Sequence, residues 1–183
     1  MNHNIKELTV IALMAALLCV LGPMSLPIGP VPVSLTNLTL YFIIYLVGTK
    51  RTAIAYVIYM LIGLAGLPVF SGYAGGPQKL LGPTGGYIIG FLPMILVMGL
   101  IVERHEKNRI LCILSMEAAT WIPYLLGTAW LARTAGMTFG AAFGVGVLPF
   151  IILDLVKICA AAVLAPVILG RLRKSGVLPE SVR

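Results

Sequence analysis

The chain has 183 residues, 60% of them hydrophobic and 10% charged, with a mean hydropathy of +1.03 and a net charge of +7. Soluble domains carry about 25% charged residues, so this composition excludes a water-soluble globule and marks an integral membrane protein. The apolar runs are continuous rather than alternating, which selects helices over a β-barrel, and at roughly 30 residues per span plus loop the chain holds about six of them.

The runs lie at roughly 5–22, 35–49, 52–68, 84–102, 109–132 and 145–170; the second and third are short against the length of about 20 residues that crosses a bilayer. The expected fold is an all-α membrane protein, with 1–183 as a single transmembrane domain of six helices. The first run starts at Lys6 and lacks a small-residue cleavage site, so it reads as a retained span rather than a removed leader. Within it, Ala12 and Ala16 stand four apart and share one face, where another helix can approach closely.

Between the first and second runs lies Gly22-Pro23-Met24-Ser25-Leu26-Pro27-Ile28-Gly29-Pro30-Val31-Pro32. Prolines exclude a regular helix here, yet the segment is apolar, so it is expected to cover something. The second run opens Val33-Ser34-Leu35-Thr36-Asn37-Leu38-Thr39, placing the hydrogen-bonding groups Thr36 and Asn37 near one surface. Asn offers both donor and acceptor, which suits an amide or ureido ligand; interhelical glue is the other reading. Gly48-Thr49-Lys50-Arg51 reads as a tight turn between antiparallel helices.

A second uncharged irregular stretch, Leu67-Pro68-Val69-Phe70-Ser71-Gly72-Tyr73-Ala74-Gly75-Gly76-Pro77, leads through Lys79 to Gly82-Pro83-Thr84-Gly85-Gly86-Tyr87. Apolar irregular backbone near a membrane is tolerated where protein buries it or where it lines a cavity. Thr84 is placed to cap the fourth helix, and Gly85 and Gly86 would let a ligand reach its first backbone N–H groups. The alternative for these glycines is helix packing, because Gly82, Gly86 and Gly90 recur every four residues. No Gly-Lys-Ser/Thr ending follows, so this is no nucleotide loop, and any energy from ATP must come from another protein.

The charges orient the spans. One side collects Lys6, Lys50, Arg51, Arg104, Lys107, Arg109, Arg171, Arg173, Lys174 and Arg183; the other has only Lys79 and Arg133. By the positive-inside rule both termini are cytoplasmic and both irregular stretches external, where they would form a lid. The net charge then calls for anionic lipid rather than a nucleic-acid partner. Glu7, Glu103, Glu106 and Glu180 fall among the cytoplasmic basic groups.

Glu117, Asp154 and Lys157 remain inside apolar runs, where a charge costs about 2.5–3.5 kcal/mol on insertion scales and needs a partner. Asp154 and Lys157 stand three apart on one helix face, in the outer half and beneath the lid. They read as a ligand site, a carboxylate for N–H donors beside an ammonium for an anion, with a self-satisfied ion pair as the alternative. Glu117 lies in the inner half and reads as structural or partner-facing. Trp121, Tyr124 and Trp130 are interfacial aromatics or ligand-stacking groups. Cys19, Cys112 and Cys159 are too scattered for a metal motif and read as buried packing thiols. The histidines, His3 and His105, lie outside the spans; no metal, no cofactor and no enzymatic nucleophile–base pair is expected.

The blocks Pro30-Val31-Pro32-Val33-Ser34-Leu35-Thr36-Asn37-Leu38, Gly66-Leu67-Pro68-Val69-Phe70-Ser71-Gly72, Gly82-Pro83-Thr84-Gly85-Gly86-Tyr87, and Asp154-x-x-Lys157 after Leu148-Pro149-Phe150 resemble, in order, the BioY family. These are the biotin-binding S-components of energy-coupling factor transporters. The resemblance implies a substrate-capture subunit in the cell membrane that binds biotin in an external lidded cavity. Asp154, Lys157, Asn37, Thr36, Gly85, Gly86, Tyr87 and Phe70 are the ligand-binding candidates. It also implies partnership with a transmembrane coupling subunit, docked through Ala12 and Ala16, and with two cytoplasmic ATPases. Asn37 replaces a common Gln and Leu153 a common Gly; the second is expected to narrow the pocket. The competing function is a self-sufficient secondary transporter using Asp154 and Lys157 as a proton relay.

Overall fold

Glycine, proline and polar caps set where the apolar runs begin and end as helices. The computed structural model describes residues 3–27, 30–106 and 108–175. In chain order it comprises α1 (His3–Leu21), β1 (Ser25–Leu26), β2 (Val33–Ser34), α2 (Thr36–Leu64), α3 (Pro77–Leu81), α4 (Gly85–Arg104), α5 (Arg109–Ala135), α6 (Phe139–Gly146) and α7 (Leu148–Lys174). Ile28, Gly29, Lys107, Glu180 and Arg183, named above, lie outside the described residues. Among the described residues, α2, α4, α5 and α7 are long and apolar enough to cross a membrane.

Helix α2 is bent back on itself. Gly48 has φ 80° and ψ 176°, a region essentially reserved for glycine. In a straight helix Asn37 and Tyr59 would stand about 33 Å apart, yet both line one cavity. The chain therefore reverses at Gly48, and the two halves, 36–47 and 49–64, run antiparallel. The turn read from Gly48-Thr49-Lys50-Arg51 is sharper than expected, confined to one residue. The Glu103 carboxylate at the end of α4 accepts the Thr49 N–H, which satisfies a donor at the start of the second half.

Three boundaries differ from the sequence reading. The run read to 68 ends as a helix at Leu64, where Gly66 turns with φ 103°. The run 145–170 is divided at Val147, whose φ/ψ of −130°/−54° ends α6 before α7 starts. Helix α7 then continues to Lys174, because Arg171, Arg173 and Lys174 complement the negative end of its dipole. Helix α6 was hidden by its glycines; Thr138 starts it by accepting the Ala141 N–H at 3.3 Å.

The two irregular stretches are ordered against each other. In the first, β1 and β2 pair antiparallel, Ser25 with Ser34 and Leu26 with Val33, and Pro23, Pro27, Pro30 and Pro32 all fall outside the paired residues. In the second, Phe70 and Ala74 exchange backbone hydrogen bonds across a tight turn. The Gly72 N–H donates to the Pro23 carbonyl at 3.0 Å, joining one stretch to the other.

Glycine governs the close packing of α4 on α5. A Cβ on Gly86 would collide with Trp130 and the Leu126 carbonyl, one on Gly90 with Pro123, and one on Gly127 with the Tyr87 ring. The main core joins α1, both halves of α2, α4, α5 and α7 around Tyr41, Tyr56, Phe70, Met94, Met98 and Met116. Of the cysteines, Cys112 is buried, Cys19 half-buried and Cys159 exposed. The reading of all three as buried packing thiols thus fails for Cys159, which stands on the outward face of α7.

Gly48→Ala is expected to destabilise the protein by about 1–3 kcal/mol, the cost of holding a non-glycine residue in that conformation. Gly140→Ala, where a Cβ meets nothing, should leave thermal unfolding in detergent unchanged or slightly raised. Equal unfolding temperatures for Gly48→Ala and the parent would refute the one-residue reversal.

Candidate functional site: a lidded polar pocket among aromatic side chains

Lys157 and Asp154 lie on α7 three residues apart, and the bundle brings α2 and α5 to them. The Lys157 ammonium donates to Asp154 Oδ1 at 2.9 Å, to Asn37 Oδ1 at 3.0 Å and to the Ser34 carbonyl at 3.0 Å. An ammonium has three N–H donors, so all are used. The other carboxylate oxygen, Asp154 Oδ2, accepts the Tyr124 hydroxyl at 2.6 Å. Both side chains are nearly withdrawn from solvent, at 13% and 6% exposure, and such a pair persists in apolar surroundings only when its remaining hydrogen-bonding capacity is filled.

This cluster forms part of the lining of a cavity enclosing about 690 Å³ of non-atom space, its open mouth included. The polar wall is Ser34, Thr36, Asn37, Thr120, Asp154 and Lys157. The rest of the lining includes Tyr56 and Tyr59 from the second half of α2, Phe70 from the loop, Tyr87, Ile88 and Phe91 from α4, and Phe150 from α7. Rings pack edge-on, Tyr59 on Phe70 at 5.5 Å and Tyr56 on Phe91 at 6.2 Å. Val31, Pro32 and Ser71 of the two irregular stretches roof the cavity. Phe70 is locked there because Gly63 leaves room for its ring, and Tyr59 reaches past it to donate to the Val69 carbonyl at 3.0 Å.

Six of the sequence candidates converge: Asp154, Lys157, Asn37, Thr36, Tyr87 and Phe70 all line the cavity. Gly85 and Gly86 do not. A Cβ on Gly85 would collide with the Leu80 carbonyl of α3, and one on Gly86 with Trp130 and the Leu126 carbonyl of α5, so their small size serves close packing. Thr84 stands at the start of α4 without a side-chain cap bond and lines the cavity instead. Leu153 is 40% exposed and absent from the lining, so it points outward and does not narrow the pocket. Ala12 and Ala16 lie on the exposed face of α1, opposite the buried Ile11, Ala15 and Leu18.

The three aromatic candidates on α5 divide. Tyr124 lines the cavity and holds Asp154. Trp121 turns away and stacks on Phe143 of α6 at 6.5 Å, while Trp130 donates its indole N–H to the Gly82 carbonyl at 2.9 Å. Glu117 is half-exposed and makes no side-chain hydrogen bond or ion pair among the described residues. Tyr56, Tyr59, Phe91 and Phe150 were missed by the sequence reading. The spacing Tyr56-x-x-Tyr59 on one helix face was the available signal, but it is equally that of a core stripe.

Tyr124→Phe removes a hydrogen bond to a carboxylate, typically worth about 1.5–3 kcal/mol, and should lower the unfolding temperature in detergent. Trp121→Phe, which preserves an outward aromatic contact, should change it little. A Tyr124→Phe protein as stable as its parent would mean that the hydroxyl does not brace Asp154.

Comparison with known proteins sets this geometry in a family. The model of the BioY family matches residues 1–174. A probable biotin transporter BioY from Pyrococcus horikoshii is 39% identical over 160 residues, covering 87% of this chain and 94% of the relative. The biotin transporter BioY of Thermotoga maritima is 36% identical over the same length and shares. Among solved structures, the S-component for biotin from an ECF-type ABC transporter superposes with a TM-score of 0.82 at 30% identity, covering 95% of both chains. The matched family is one of transport proteins and not of enzymes. With the family model running from the first helix to the last, the chain belongs to the BioY family.

Proposed function

We propose that this protein captures biotin from outside the cell as the S-component of an energy-coupling factor transporter. The observation that carries the reading is the union, in one cavity, of a carboxylate, an ammonium and an amide with a set of aromatic rings. Biotin presents ureido N–H donors, a ureido oxygen, an apolar thioether ring and a carboxylate tail. Asp154 can accept an N–H, Lys157 can donate to a ureido oxygen or the carboxylate, and the rings suit the thioether portion. Every Lys157 donor is already engaged, so an incoming oxygen takes the place of a resident acceptor. If Ser34 yields, the strand β2 is released from α7, and ligand arrival is thereby coupled to rearrangement of the roof.

In this reading the two halves of α2 count as separate spans, which with α1, α4, α5 and α7 gives six. Both termini and the turn at Gly48 face the cytoplasm of a cell-membrane protein. Two ion pairs lie at one end of the bundle, Arg51 to Glu7 at 3.2 Å and Arg173 to Glu106 at 3.9 Å, together with the Thr49 N–H donated to Glu103. The roof lies at the other end. Ala12 and Ala16, exposed on α1, offer a shallow face to a transmembrane coupling subunit, which would connect the chain to two cytoplasmic ATPases. The chain itself carries no nucleotide loop.

Calorimetry of the purified protein in detergent should detect stoichiometric biotin binding without any requirement for sodium or a proton gradient. Asp154→Asn and Lys157→Ala should each weaken it by about 10- to 100-fold, the equivalent of a hydrogen bond to a charged group. The double variant is needed because a lone buried charge costs about 3–5 kcal/mol by itself. Binding undiminished in all three would remove the pair from the site, and gradient-driven biotin uptake by the isolated chain would favour a secondary transporter. For the partner surface, Ala12→Trp and Ala16→Trp should leave biotin binding nearly intact and abolish co-purification with the coupling module. Should biotin binding fall along with stability, this face packs internally.

A further inference from the structure

A second cavity lies at the basic end of the bundle, away from the biotin site. Tyr45 from the first half of α2, Glu106 from the turn after α4, Arg109 at the start of α5, and Pro166, Gly170 and Arg173 from the last turns of α7 surround it. Gly170 is 16 residues beyond Asp154, which along α7 is about 24 Å. Two guanidinium groups against one carboxylate leave a surplus of one positive charge. Arg109 makes no side-chain hydrogen bond or ion pair among the described residues, and Arg173 touches Glu106 only at 3.9 Å, so donors of both remain available. Arg presents a planar fork suited to phosphate oxygens. The space itself is left by a missing side chain: a Cβ on Gly170 would meet nothing within 4 Å.

The flanks of this cavity are apolar and bare. Val163 and Val167 precede Gly170 by two turns and one turn on the same side of α7, each 47% exposed, and Ile110 and Leu114 beside Arg109 are 72% and 59% exposed. A charged recess continuing into exposed aliphatic side chains matches a molecule with an anionic head and hydrocarbon tails, and basic pockets between membrane helices are known to take such headgroups. We infer that this recess binds the headgroup of an anionic glycerophospholipid carrying one phosphodiester charge, with its acyl chains against α5 and α7. The leaflet, but not the binding, rests on the orientation proposed above.

Native mass spectrometry of delipidated protein, offered phosphatidylglycerol and phosphatidylcholine of identical acyl chains, tests this. Phosphatidylglycerol should be retained preferentially. Arg109→Gln and Arg173→Gln should each reduce its retention by about fivefold, and Gly170→Leu should reduce it with every charge in place. Arg133→Gln, on the other side of the membrane in the proposed orientation, should have no effect, and unfolding temperatures near the parent's would confirm that the variants fold. Equal retention of the two lipids, or parental retention by both arginine variants, would overturn the inference. Displacement of the lipid by millimolar inorganic phosphate would overturn it too, identifying a site for free phosphate. Absence of biotin binding in the parent would refute the function proposed above and leave this lipid preference standing.

Discussion

Burying an ammonium among aromatic side chains is the constraint around which this protein is organised. Lys157 has to find three acceptors away from water, and no single helix can supply them. It takes one from its own helix at Asp154, one from the side chain of Asn37 on α2, and one from the backbone of Ser34 just before that helix. The requirement therefore fixes α7 against the start of α2 and pulls the end of the first irregular stretch down onto the bundle. Asp154 carries the constraint one step further, through its second oxygen to Tyr124 on α5.

Given that anchor, the remaining geometry serves to surround it with apolar surface and still leave a cavity. The reversal at Gly48 returns the chain so that Tyr56 and Tyr59 line the same pocket as Asn37. The glycine contacts between α4 and α5 bring Tyr87 close enough to donate to the Gly146 carbonyl at 3.1 Å, which joins α4 to the end of α6. The roof is tied by backbone hydrogen bonds and one seated ring, Phe70 under Gly63. Such a roof needs no charged groups, which is why the two stretches are apolar and rich in glycine and proline.

The two ends of the bundle solve opposite electrostatic problems. At the roofed end a few charges are hidden and mutually satisfied. At the other, Arg51 meets Glu7 and Arg173 meets Glu106, while Arg109 adds a further positive charge beside that second pair. In the proposed orientation this end faces the cytoplasm, and the recess beside Gly170 sets two guanidinium groups against one carboxylate.

The sequence by itself determined the helical membrane class, the approximate places of the long helices, the turn at Gly48 and the shared face of Asp154 and Lys157. Those follow from hydropathy, from the prohibition on unpaired charge in hydrocarbon, and from spacing along one helix, all of which are local. It left open whether Gly86 faces the cavity or a neighbouring helix, and only the tertiary structure decided that. The answer depends on Trp130, 44 residues further on, which occupies the space beside Gly86. For the same reason Tyr124, Trp121 and Trp130 could not be told apart beforehand. They sit on one helix with similar chemistry, and what separates them is whether Asp154, Phe143 or the Gly82 carbonyl is the partner each one meets. The lining by Tyr56, Tyr59, Phe91 and Phe150 was likewise invisible, because an aromatic facing a cavity and an aromatic facing a core obey the same periodicity. The difference lies in what stands opposite, and that is settled only when α2 folds back and α4, α5 and α7 close around it.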